Sequence, residues 1–390
     1  YSLTVGNLVA GESLTLTFVG NGINVTSPVT IAAVNGIVLY GTAAGEYGIS
    51  NFGIEDSSVG GVTFLASNYS LPSPNPSKSW SISKRTVTIE WKNTSVTYNA
   101  KQYTPDGNNR GVYAVVMNNV GEDAVVPSYG GTYSATNAGS YTVRISDLIG
   151  ADKDNYKIDG SLSAVWTIEK KTITAFSWLL DGEAMPTDKS VVYDGATHQV
   201  SAIPTAGATL DDDGKIYDGD SVKFSYSAAT GYTDKALLAG TYATIISGVD
   251  NTNYKTGDND LSVNWKVLPR TITAAFTADA SDFIYNGSEQ GLTLTISGFV
   301  NTDYGTNLKF KVDTDTTNNA VSASGTTYRH TLKAVNAGSY SVSVSIDTSS
   351  ARYDCYVLSG TVTDSFKITK KTAALIWSLD GKTVLGAEYD

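Results

Sequence analysis

The same short signposts return four times along this chain, always in the same order, and a chain built that way folds as a series of like domains. The first signpost is Ala-Gly-x-Tyr, at Ala44-Gly45-Glu46-Tyr47, Ala138-Gly139-Ser140-Tyr141, Ala239-Gly240-Thr241-Tyr242 and Ala337-Gly338-Ser339-Tyr340. The four tyrosines lie 94, 101 and 98 residues apart. The second is Asn-Tyr, at Asn68-Tyr69, Asn155-Tyr156 and Asn253-Tyr254, with Arg352-Tyr353 as the departure. The third closes each unit: Trp80-Ser81-Ile82, Trp166-Thr167-Ile168, Trp265-Lys266-Val267 and Phe366-Lys367-Ile368. A basic junction follows directly, as Lys84-Arg85-Thr86, Lys170-Lys171-Thr172, Pro269-Arg270-Thr271 and Lys370-Lys371-Thr372.

These landmarks also predict secondary structure. Tyr340, Val342, Val344 and Ile346 alternate with serines, the period of two that marks a strand with one wet face. Tyr141, Val143 and Ile145 repeat the pattern, and Trp166 and Ile168 flank Thr167 in the closing strand. After each basic junction an opening strand points Val87, Ile89 and Trp91, or Ile272, Ala274 and Phe276, to one side. In the third unit Trp178 falls one residue late, which reads as a bulge. Turn glycines sit beside the strands, and no helical periodicity exceeds two turns. Units of this size built from short strands predict an all-β fold of tandem Ig-like β-sandwich repeats in a linear array. A β-grasp arrangement is the alternative, with a short helix in one of the longer loops. The expected units are 1–84, lacking its first strand, then 85–170, 171–269 and 270–371. Residues 372–390 are the opening strand of a further repeat, or a donor strand for a neighbour.

Tyr193-Asp194-Gly195 and Tyr285-Asn286-Gly287, followed by Gly-x-Tyr, Asn-Tyr and an Ile-Thr-Lys-like close, resemble the YDG/MBG class of bacterial Ig-like repeats. The second unit departs, with Tyr98-Asn99-Ala100 where the glycine is expected. The resemblance implies a large bacterial surface protein, adhesin or secreted exoprotein, and hence an extracellular, cell-surface or secreted location.

Chemistry-bearing residues are sparse. The two histidines, His198 and His330, sit in different units without a cysteine or second histidine nearby, which argues against a zinc site or a His-based triad. Cys355 is the single cysteine, so no intrachain disulfide forms. The net charge of −11 argues against nucleic-acid partners, and no apolar run is long enough to span a bilayer as a helix. Tyr1 is not an initiator residue, so the chain reads as a mature or excised piece. No enzyme is expected. The expected role is structural, as a spacer, stalk or fibre building block that self-associates or packs on neighbouring repeats, with head-to-tail strand complementation as one route to assembly. The rival is an adhesin module recognising a glycan or host protein.

One loop has a composition suited to a cation. Residues 211–220 carry five aspartates around Gly214 and Gly219, and Asp211, Asp213, Asp218 and Asp220 are the candidate calcium ligands. No other cofactor is expected. If calcium binds there, chelation lowers the melting temperature of the third unit through loss of ligand linkage; melting unchanged by chelator removes the ion.

Overall fold

Alternating apolar residues set up pleated strands, and the way those strands pair decides what kind of sandwich results. The computed structural model describes residues 1–33, 35–160, 162–258, 261–379 and 381–383. Among them are many short strands and no α-helix; the helical pieces are three-residue 3-10 turns. No helix is long and apolar enough to cross a membrane. The chain divides into two compact units. One is Tyr1–Lys171 with Leu210–Asp212 and Thr252–Tyr254; the other is Thr172–Thr209, Asp213–Asn251 and Lys255–Asp390.

The fourth repeat shows the plan most completely. One sheet runs Asn318–Ser324, Thr327–Ala334, Gln290–Ser297, Arg270–Ala278, Tyr356–Gly360; the other runs Phe283–Ile284, Thr363–Thr369, Gly338–Ile346, Phe310–Thr314. The opening strand is shared between the layers. Arg270–Ala278 pairs antiparallel with Gln290–Ser297 and parallel with Tyr356–Gly360, and the chain then crosses so that Phe283–Ile284 lies parallel to the closing strand. Two facing sheets with one strand divided between them is the Ig-like arrangement, which sets the β-grasp alternative aside. The second repeat pairs Ser95–Thr97 parallel to its closing strand, and the third pairs Ser190–Val192 likewise. Within the third repeat the expected bulge is a break instead. The strand stops at Ile173 and resumes as Phe176–Leu180, while the Thr174 and Ala175 amides both donate to the Gly214 carbonyl.

The Ala-Gly-x-Tyr signpost now has a physical cause. The tyrosine ring folds back so that its hydroxyl donates to the carbonyl four residues earlier: Tyr141 to Asn137 at 2.7 Å, Tyr242 to Leu238 at 2.7 Å and Tyr340 to Asn336 at 2.8 Å. This is the logic of the tyrosine corner. A β-carbon at Gly139 or Gly240 would lie 3.2 Å from that hydroxyl, tighter than ordinary contact, which is why the residue is glycine. Each corner tyrosine also pairs across the ladder with the closing aromatic, as Tyr141 with Trp166 and Tyr242 with Trp265, at centroid distances of 5.2 and 5.1 Å.

The Asn-Tyr signpost needs a correction in the fourth repeat. The 3-10 turns at Ala66–Asn68 and Lys153–Asn155 each end just before the landmark tyrosine, and the turn Tyr353–Cys355 ends before Tyr356. The equivalent pair is therefore Cys355-Tyr356, not Arg352-Tyr353; Tyr356 is buried where Tyr353 is exposed. The turn in the second repeat keeps its shape without glycine, because Ala100 adopts φ +60°, in the region where Gly195 and Gly287 have +86° and +81°. At the C-terminal end, residues 371–377 form no ladder and Ser378–Leu379 pairs with Lys382–Thr383. The expected end of that segment at Tyr389-Asp390 lies outside the described residues.

Trp166 has no exposed surface, and its indole Nε1 donates to the Thr132 carbonyl at 2.8 Å. Trp166→Ala is expected to cost about 3–5 kcal/mol in the stability of the second repeat, read from urea unfolding of the chain followed by residue-specific probes. Unfolding of that repeat at the wild-type midpoint would contradict the core assignment.

Candidate functional site: the junction between successive repeats

The residues that recur most faithfully outside the strand alternation converge where one repeat meets the next. Three contacts build this junction, and each begins in a loop that a strand end holds in place.

The first contact caps the tyrosine corner. The backbone amide of its alanine donates to the residue preceding the landmark tyrosine of the following repeat. Ala44 donates to Asn155 Oδ1 at 2.7 Å and Ala138 to Asn253 Oδ1 at 2.8 Å. In the fourth repeat the acceptor is Cys355, with Ala239 N–H to Sγ at 3.3 Å. Sulfur is a weak acceptor, so this cap is the softest of the three. Burial pushes the Cys355 thiol up, which keeps it protonated and unreactive.

The second contact is a pair of tyrosine rings. Tyr98, from the turn that departs from Tyr-Asp-Gly, packs edge-on against Tyr254, with centroids 5.4 Å apart. Tyr193 meets Tyr356 in the same way, also at 5.4 Å. Edge-to-face geometry suits the ring quadrupoles and adds to the gain from burial.

The third contact satisfies the hydroxyl of a landmark tyrosine within its own repeat, and in the fourth repeat it also reaches the preceding one. An acidic residue three positions after an amide that binds the tyrosine accepts its proton donor. Val9 N–H donates to the Tyr69 hydroxyl, which donates to Glu12. Val120 N–H donates to Tyr156, which donates to Asp123. In the fourth repeat Val300 N–H donates to Tyr356, and Tyr356 and Tyr193 both donate to Asp303 Oδ2, at 2.6 and 2.7 Å. Arg352 pairs with Asp303 Oδ1 and donates to the Tyr193 hydroxyl at 2.5 Å. The Asp303 side chain is fully buried, so this carboxylate ties two repeats together through Tyr193, Tyr356 and Arg352. Burial, reinforced by the bonds to Asp303, pushes the Tyr193 and Tyr356 hydroxyls far above the usual tyrosine range. Both stay neutral donors at any physiological pH.

Of the expected calcium ligands, Asp211 belongs to one compact unit and Asp213, Asp218 and Asp220 to the other. Asp213 accepts the Thr209 amide at 2.8 Å and the Lys215 amide at 3.0 Å, so its carboxylate braces the loop. Among the described residues no group of three or more His, Cys, Asp or Glu side chains is placed to hold a metal ion. Asp211 occupies the position, three residues after Ala208, that Glu12, Asp123 and Asp303 occupy after Val9, Val120 and Val300. His198 is buried, with Nδ1 2.8 Å from Asp181. His330 is buried beside Tyr328, and burial lowers its proton affinity. The two histidines serve separate local networks.

The junction role of the Asn-Tyr tyrosines is not visible in the strand alternation. The signal was present: the apolar-x-x-acid spacing recurs four times, as regularly as the corner itself.

No protein-family model matches the sequence, and no curated protein does. Among solved structures, the chain is similar to invasin, a bacterial integrin-binding protein, at 14% identity and a TM-score of 0.29, covering 95% of this chain and 75% of that one. It is also similar to FdeC, an Escherichia coli adhesin, at 12% identity and a TM-score of 0.23, covering 73% of this chain and 96% of that one. Scores this low leave the assignment to the strand pairing itself, by which the chain is a series of Ig-like β-sandwich repeats.

Tyr193→Phe and Asp303→Asn should interact strongly because each removes one end of the same buried bond. A double-mutant cycle on the whole chain, followed by urea unfolding, is expected to show about 1–2 kcal/mol of coupling between the third and fourth repeats. Additive effects would mean that the hydroxyl and the carboxylate do not act on each other.

Proposed function

We infer that this chain is a structural repeat segment of an extracellular bacterial surface or filament protein, serving as spacer, stalk or fibre building block. The observation that supports this most is the recurrence of the junction: an amide capped by the next repeat, and an edge-on tyrosine pair between neighbouring repeats. A flexible linker needs none of these, since independent domains on a string gain nothing from buried polar contacts between them. A spacer or fibre needs them, because each added copy has to meet the last one at a set angle. The resemblance to YDG/MBG repeats supports an extracellular location, and a chain whose single cysteine is buried relies on its cores there in place of disulfides.

Pairs of spin labels, one on the third repeat and one on the fourth, give the test in the whole chain. The wild type is expected to show one narrow distance distribution, and Tyr193→Ala combined with Asp303→Ala should broaden it. A broad wild-type distribution would overturn the reading. A glycan array probed with the whole chain separates it from the adhesin alternative: spacing predicts no specific ligand, and a saturable hit would shift the role to recognition.

A further inference from the structure

A strand at the rim of a sheet keeps half of its backbone hydrogen-bonding groups for whatever lies beyond it, and proteins blunt such rims to keep other strands away. Most edges of this chain are short, and several of the longer ones carry a blunting device. Val126–Gly131 has Pro127 and a register shift between Ser128 and Tyr129. Phe310–Thr314 carries Lys311 and Asp313. In Tyr113–Met117 the Ala114 amide is already taken, donating to the Tyr129 hydroxyl at 2.8 Å.

Asn318–Ser324 has none of these. It is the outermost strand of the five-stranded sheet in the fourth repeat, seven residues long and exposed throughout. Among the described residues it is the longest edge strand. Its sequence, Asn-Asn-Ala-Val-Ser-Ala-Ser, holds no charge, proline or aromatic residue, and its register with Thr327–Ala334 is unbroken. Val321 is 56% exposed although it shares a sheet face with Tyr328, His330 and Leu332, which are buried. The strand therefore overhangs the core that its neighbour covers.

The phase of the ladder decides which groups the overhang offers. The Thr326 carbonyl accepts the Gly298 amide, so Thr326, and with it Tyr328 and His330, turns its backbone toward Gln290–Ser297. The alternate residues Thr327, Arg329, Thr331 and Lys333 then bond to Ser324, Ser322, Ala320 and Asn318. That leaves Asn319, Val321 and Ala323 with amide and carbonyl pointing outward, and among the described residues no strand pairs with them. These positions are symmetric about Val321. Two copies of the strand, antiparallel with Val321 opposite Val321, would pair every outward group of both, Asn319 matching Ala323 on either side. At the intervening positions Ala320 would face Ser322 and Asn318 would face Ser324. All are small and neutral, so like meets like without charge repulsion, in a chain whose net charge is −11.

We propose that Asn318–Ser324 is a self-pairing edge, through which two copies of this chain join side by side about a two-fold axis at Val321. The two five-stranded sheets become one. The contact uses the same surface on both copies and closes on itself, so it gives dimers and not filaments. A second copy is the occupant because the outward groups repeat about Val321, and because several of the other edges are blunted. The pairing goes beyond the spacer reading by linking arrays laterally. It uses no junction residue, so its failure leaves that reading standing.

Sedimentation velocity of the whole chain over a range of concentrations tests it. The wild type is expected to show a reversible monomer–dimer equilibrium. Val321→Pro removes an outward amide without touching the ladder to Thr327–Ala334, and should weaken dimerisation about 100-fold. Val321→Lys and Val321→Glu each set a charge against its own copy at the axis, and should each weaken it about 10-fold. Mixing those two variants places opposite charges across the axis, and the mixture should regain dimers that neither forms alone. Val321→Thr keeps the backbone and should dimerise like the wild type. Should the proline variant unfold early in urea, the mixture of charged variants still decides. A wild type that stays monomeric, dimers of folded Val321→Pro as tight as wild type, or a mixture that dimerises no better than its parts would overturn the proposal.

Discussion

A tyrosine hydroxyl carried away from water has to find a partner, and that requirement organises the junction between the third and fourth repeats. The ring of Tyr356 is buried among apolar neighbours, yet its oxygen reaches the Val300 amide and the Asp303 carboxylate. Once Asp303 is fixed, it offers a second bond, and Tyr193 takes it from the preceding repeat. The same hydroxyl that completes one repeat's fold therefore creates the docking point for another. Folding and docking share one carboxylate. A single apolar core, with Trp265 and Val267 of the third repeat and Phe299, Leu308 and Tyr356 of the fourth, continues across the boundary.

The energetic argument favours specificity over raw stability as the role of this hub. A buried carboxylate is expensive, and Arg352 and two hydroxyls recover that cost only when all are in register. An all-apolar interface of the same size would tolerate sliding and rotation. The polar arrangement penalises every misaligned pose by leaving Asp303 without donors, so one relative orientation prevails. The aromatic pair supplies the attraction, and the carboxylate selects the angle. Cys355 shows which element tolerates change: the cap at Ala239 accepts sulfur for oxygen, while the acid position keeps a carboxylate in every repeat.

Much of the fold was legible because alternation and recurrence are local. The corner tyrosines, the closing Trp166 and the opening strand are read from spacing alone, and the structure places Trp166 against Tyr141 across the ladder as that spacing implies. The junction was harder to read for a physical reason. A tyrosine that packs inside its own sheet and one that packs on the next domain have the same periodicity, since both are half-apolar residues beside a strand. Only the recurring acid three residues after Val9, Val120, Ala208 and Val300 distinguishes them, and an isolated acid in a loop normally reads as a solvated one. Cys355 hid the register in the fourth repeat for the same reason: a cysteine in place of asparagine removes the visible half of the landmark. Asp211, one of the candidate calcium ligands, shares that acid's position in the sequence, three residues after Ala208.

The connection between repeats explains why so few contacts can set an orientation. The closing strand of the third repeat ends at Leu268 and the opening strand of the fourth starts at Arg270, so Pro269 is the entire linker. Between the first and second repeats, Ile82 and Arg85 are separated by two residues. A linker that short has almost no conformational entropy to lose, and Pro269 restricts φ further. The opening strand begins where the previous repeat stops, and its first basic residue anchors at once, as Arg270 does on the Gly298 carbonyl. Strand direction, anchor and tyrosine pair are then three constraints on one rigid step. The bond from Tyr193 to Asp303 is a third point of attachment beside the one-residue linker and the Arg270 anchor.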